Sequence, residues 1–175
     1  MFQARLAVVV LGLTACAPTP EFTGQRDVFE FDSQSVGDSF EISVHLPPGY
    51  DSSGAGRPVL FQLDGSVHGE QVSGIAESLG LEIVVVGIGY DDGFSPNRRR
   101  RDDSPTVDTN YDQSGGADEF LSFVTTELFP RIEGDYQVDV NDRTIMGHSQ
   151  GGLAAAYFAL SQPAHPPSTS AALRR

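Results

Sequence analysis

Between positions 40 and 46 apolar and polar residues alternate: Phe40, Ile42, Val44 and Leu46 on one side, Glu41, Ser43 and His45 on the other. A period of two predicts a half-buried antiparallel strand with His45 turned to solvent. Positions 28–31 predict a shorter strand before it, and Pro47-Pro48-Gly49-Tyr50 ends the pair. A short apolar run over 59–63, bounded by Pro58 and by Asp64-Gly65, predicts a buried strand. Positions 83–88 are nearly all β-branched and predict a strand covered on both faces, as in a parallel sheet.

Helical spacing appears at 69–79, with Val72, Ile75, Ala76 and Leu79 on one face. It is clearest at 117–132, where Phe120, Leu121, Val124, Leu128 and Ile132 share a side. Between these helices, 91–114 reads as a long polar loop, and its run Arg98-Arg99-Arg100-Arg101 reads as solvated. Positions 143–146 predict a strand and 153–160 a helix. Strands alternating with helices predict an α/β fold.

Composition adds an address. Hydrophobic residues make up 39% of the chain and charged residues 20%, ordinary for a folded domain. The net charge is −13, and all 11 basic residues are arginines, which argues against a nucleic-acid partner. Arg5 followed by a short apolar run over 6–13 has the form of an export signal, too short to span a membrane. It ends in Leu13-Thr14-Ala15-Cys16, the form of a bacterial lipobox, and Cys16 is the only cysteine. The expectation is a signal peptide over 1–15, lipidation at Cys16, a tether over 16–26 and a domain over 27–163. The protein is then exported and held to the cell envelope by its lipid, the outer membrane slightly favoured. After Pro163 the chain turns rich in Pro, Ser and Ala without periodicity, so 164–175 predicts a disordered or frameshifted tail.

The chemistry concentrates in Gly147-His148-Ser149-Gln150-Gly151-Gly152. G-x-S-x-G between a predicted strand and a predicted helix is the context of a nucleophile elbow, where small neighbours permit the sharp turn that presents a serine hydroxyl. Three further stretches accompany it: Pro58-Val59-Leu60-Phe61-Gln62-Leu63-Asp64-Gly65, then Arg99-Arg100-Arg101-Asp102-Asp103-Ser104-Pro105, and Gly115-Gly116-Ala117-Asp118-Glu119-Phe120-Leu121 with Glu127-Leu128-Phe129-Pro130-Arg131-Ile132-Glu133. Taken together, the chain resembles the putative-esterase family of α/β-hydrolases, which includes siderophore trilactone esterases, feruloyl esterases, S-formylglutathione hydrolase and the antigen 85 mycolyltransferases.

The resemblance implies an α/β-hydrolase fold, a mostly parallel sheet with flanking helices. It implies Ser149 as nucleophile and the backbone N–H groups of Gln150 and Ser66 as the oxyanion hole, with Asp64 and Gly65 as candidate substrate contacts. No metal or organic cofactor is implied. The family continues past the elbow helix with more strands, a carboxylate and a late histidine, and this chain stops. The expectation is therefore a C-terminally truncated serine ester hydrolase of the envelope, weakly active or inactive as given. A non-catalytic binding lipoprotein, or an acyltransferase using the same acyl-enzyme, are the alternatives. None of the four histidines reads as the base: His45 faces solvent, His68 lies in a surface loop, His148 packs beside the elbow, and His165 falls in the tail.

Overall fold

The sheet begins where the apolar runs begin. A computed structural model describes residues 19–111 and 113–161. Strands β1 (Gln25–Ser33) and β2 (Asp38–Leu46) form a hairpin, followed by β3 (Arg57–Leu63), helix α1 (Gly65–Ser78) and β4 (Val84–Gly89). Helix α2 (Pro96–Asp103) precedes α3 (Ala117–Ser122), which runs through a wide π-type stretch, Phe123–Leu128, into α4 (Phe129–Asp135). Strand β5 (Val138–Met146) and helix α5 (Gln150–Ser161) complete the described elements.

The five strands lie in the order β1-β2-β4-β3-β5. β3 pairs in parallel with both β4 and β5, and β2 is antiparallel to β1 and β4, so only β2 opposes the common direction. Every residue of β4 is buried, as its unbroken β-branched run predicts. Among the described residues β5 pairs with β3 alone, which puts it at the sheet edge.

Helices α3 and α4, with the stretch between them, cover one face of the sheet. Phe120, Phe123, Val124, Leu128 and Ile132 are all buried there, and Phe123 stacks on Phe40 with ring centroids 4.4 Å apart. The widening has a local cause. Pro130 offers no N–H to the carbonyl four residues back, and the hydroxyls of Thr125 and Thr126 donate to the carbonyls of Leu121 and Ser122 at 2.8 Å.

The opposite face carries the main departures from the pattern. His45 is 1% exposed, not solvent-facing, because α1 lies over it and Phe22 meets its ring edge-on at 5.3 Å. Its Nε2 lies 3.2 Å from the Ser43 hydroxyl, and both side chains point under the helix. Helix α1 starts at Gly65, earlier than predicted, and packs through its small residues Gly69, Ser73, Gly74 and Ala76. Of the predicted apolar stripe only Ala76 is buried; Val72 and Ile75 are half-buried, and Leu79, just past the helix end, is 67% exposed. Small residues let the helix descend onto the sheet: a Cβ on Gly65 would collide with the backbone of Gly87. Within the segment expected as a tether, Thr23 is held to α1. Thr23 donates to the Glu77 carboxylate through its N–H at 2.9 Å and through its hydroxyl, which clips the chain to α1. Cys16, His165 and the tail lie outside the described residues, and no helix among those described is long and apolar enough to cross a membrane.

Candidate active site

Strand β5 ends at Met146, which is in register with Gln62 on β3, so the segments leaving both parallel strands emerge side by side. This is the edge at which open α/β sheets hold ligands. The turn after β5 is tight: a Cβ on Gly147 would collide with the Gly151 carbonyl. Ser149 takes φ 56°, a left-handed conformation a non-glycine residue adopts only when its surroundings enforce it. It is exposed, and α5 begins at the next residue. The hydroxyl therefore stands at a helix N-terminus, where first-turn N–H groups have no intrahelical acceptor and the dipole favours negative charge. Gly151 packs on the end of β3: a Cβ there would lie 3.4 Å from Leu63 Cβ and 3.2 Å from an Asp64 carboxylate oxygen.

Asp64 is the second left-handed residue of the site, φ 58°, and caps the start of α1. Its carboxylate is 8% exposed and engaged on both oxygens. Arg99 donates from Nε to Oδ1 at 2.6 Å and from Nη2 to Oδ2 at 3.0 Å. The same guanidinium donates to the His148 carbonyl at 3.2 Å and to Gln150 Oε1 at 3.3 Å. Gln150 Nε2 in turn donates to the Ser104 hydroxyl at 3.3 Å. These contacts correct one expectation. The arginine run is not a solvated loop but helix α2, which turns Arg99 inward to 7% exposure and leaves Arg100 over the Tyr111 ring. Asp64 is tied to Arg99, and Gly65 is packed on Gly87. The run of like charges concealed this, because nothing in it distinguishes the arginine that turns inward.

A second tier of charge lies behind Arg99. Tyr90 donates its hydroxyl to Asp102 at 2.9 Å, and Arg101 donates to Asp102 and to Asp38. Asp103 is 3% exposed, and its Oδ2 has no hydrogen-bond partner; Arg99 Nε stands 3.6 Å away. Burial, then the nearby Asp64 charge, push the Asp103 carboxyl up to about 7 against the pull of Arg99. His45 moves the other way, held down to about 4 mainly by burial.

The two groups act oppositely on stability. A carboxyl with a raised folded pKa contributes stability that is present at low pH and lost as pH rises from its ordinary 3.8 through about 7. A histidine with a depressed folded pKa contributes stability that is lost as pH falls from 6.5 through about 4. Asp103→Asn mimics the protonated acid. Its advantage over the parent in urea unfolding should be absent near pH 4, grow with pH and level off above about 7. A constant difference across that range would show that Asp103 does not titrate in this window.

The remaining predicted residues are distributed as follows. Ser66 lies in the first turn of α1, and its hydroxyl donates to the Gly93 carbonyl at 3.1 Å and accepts from the Tyr90 N–H at 3.4 Å. His68 belongs to α1, not to a surface loop, and His148 is exposed, not packed. Among the described residues no histidine is hydrogen-bonded to Ser149, and no cluster of His, Cys, Asp or Glu has the arrangement of a metal site.

Residues 33–171 match the family model described as putative esterase. The chain belongs to this family. It is 36% identical over 128 residues to the ferri-bacillibactin esterase BesA of Bacillus subtilis, covering 62% of this chain and 44% of that protein. It is 26% identical over 153 residues to the apo-salmochelin esterase of Escherichia coli, covering 77% and 48%. The crystal structure of the BES protein from Bacillus cereus superimposes with a TM-score of 0.68 at 26% identity, over 89% of this chain and 61% of that one. The fold is thus that of the α/β-hydrolases, and the chain spans about half the length of the curated relatives it matches.

Proposed function

We propose that the chain carries the nucleophile half of a serine ester hydrolase acting on small-molecule esters. The observation that carries this reading is Ser149 in a left-handed turn between a parallel strand and a helix N-terminus. The Ser149 hydroxyl oxygen attacks the ester carbonyl and its proton passes to a base. The tetrahedral oxyanion rests on the N–H groups of Gln150 and Ser66. Collapse expels the alcohol, which takes up a proton, and leaves an acyl-serine; water then cleaves it to the acid. Preorganised donors of this kind are each worth about 10²–10³ in rate. None of the described residues is that base; the family resemblance makes it a late histidine. The two curated relatives named above are esterases of ferri-bacillibactin and apo-salmochelin, and these names support a siderophore ester as the substrate class.

Deacylation depends on base-activated water as much as acylation depends on a base. A site without its base should therefore hold an acyl group once formed. Prolonged incubation of the 175-residue chain with p-nitrophenyl acetate should leave one acetyl group on the peptide bearing Ser149, seen by mass spectrometry, and Ser149→Ala should lack it. Acetylation spread evenly over surface residues, with Ser149 untouched, would favour the non-catalytic binding reading.

We propose further that Cys16 is the lipid attachment point and that the protein is held to the cell envelope. Leu13-Thr14-Ala15-Cys16 after a short apolar run supports this. Expressed in a bacterial host, the chain should incorporate labelled palmitate and Cys16→Ala should not; equal labelling of both removes the proposal.

A further inference from the structure

We infer that Arg99 is the positioning residue of this site, resting on the acyl-transfer reading of Ser149. It does not receive substrate. It locks the loop after β3 and the elbow after β5 into one relative placement. The two segments that carry the oxyanion donors come from different strands, and no backbone hydrogen bond among those described joins them. One buried guanidinium does. Its fork on Asp64 holds the residue two before Ser66. Its bond to the His148 carbonyl holds the residue before Ser149, and its bond to Gln150 Oε1 holds the side chain of the residue whose N–H is the other donor.

The geometry requires arginine. The donors are splayed over a rigid plane, two on the carboxylate and two on the elbow, which a single ammonium does not reproduce. The remaining neighbour on α2, Asp103, lies beyond hydrogen-bond distance of Nε at 3.6 Å. Four donated bonds, 7% exposure and a Phe94 ring 5.1 Å from the guanidinium carbon leave no open side for an anionic substrate.

Arg99→Lys separates positioning from folding. The ammonium still neutralises Asp64, so the urea midpoint should stay near that of the parent, while the links to His148 and Gln150 are lost. Acetylation of Ser149 by p-nitrophenyl acetate should slow by about 10²-fold, the loss typical of small misplacements of a reacting group. Amide exchange should quicken at 147–153 and 64–68 and stay unchanged in β2 and β4. Arg100→Lys, on the solvent side of α2, should match the parent in all three readouts. Unchanged acetylation and unchanged exchange in Arg99→Lys would overturn the assignment, as would exchange that rises equally in β2 and β4, which marks a merely structural role. Where the parent itself is not acetylated at Ser149, the reaction reading fails, and the exchange pattern alone decides whether Arg99 joins the two segments.

Discussion

The 175-residue chain should turn over p-nitrophenyl acetate little faster than buffer. Ser149 is exposed at the start of α5, but a serine hydroxyl is a weak nucleophile until a base takes its proton. Among the described residues the histidines stand elsewhere: His45 is buried under α1 against Ser43, and His68 and His148 make no bond to Ser149. Loss of a triad member leaves roughly 10³–10⁴ over water from the oxyanion hole and binding alone. Joining the chain to the C-terminal segment of a full-length member of the esterase family should supply the base and raise turnover by several orders of magnitude over this residual level, and Ser149→Ala in the joined protein should return it to the background. Rapid Ser149-dependent turnover by the 175-residue chain alone would defeat this expectation, because one of its own histidines would then have to reach the hydroxyl.

The second large effect is on stability. Arg99→Ala leaves the Asp64 carboxylate buried without a partner, with Asp103 already close by. Breaking one side of a buried pair costs about 3–5 kcal/mol, whereas replacing both sides is often near neutral. Urea unfolding should therefore show Arg99→Ala as strongly destabilised, and Arg99→Met combined with Asp64→Asn as recovering most of the loss. Asparagine suits position 64 because it tolerates the left-handed backbone there. A double variant as unstable as the single one would mean that the links to His148 and Gln150, not the uncompensated charge, dominate the energetics.

The strands, the helices and the elbow were legible because each is written locally. An unbroken β-branched run reads as a covered strand, and β4 is one. Phe120, Val124, Leu128 and Ile132 at helical spacing read as a packing face, and all are buried. Gly147, Ser149 and Gly151 read as a strained turn, and Ser149 has the positive φ.

What the sequence alone could not settle is what lies above each face and beside each charge. Alternation made His45 look solvated, yet the residue is buried because a helix distant in sequence lies over that side of β2. Four consecutive arginines look equivalent in a row; folding them into a helix at 100° per residue sends Arg99 inward and Arg100 outward. Position in the sheet was equally hidden, since pairing joins strands far apart in the chain and β5 is placed by its register with β3 alone. Local pattern thus determined which segments are strands, which are helices and where the serine turns. Only the tertiary structure decided which polar residues are buried, because burial and charge pairing are properties of neighbours the chain brings together from a distance.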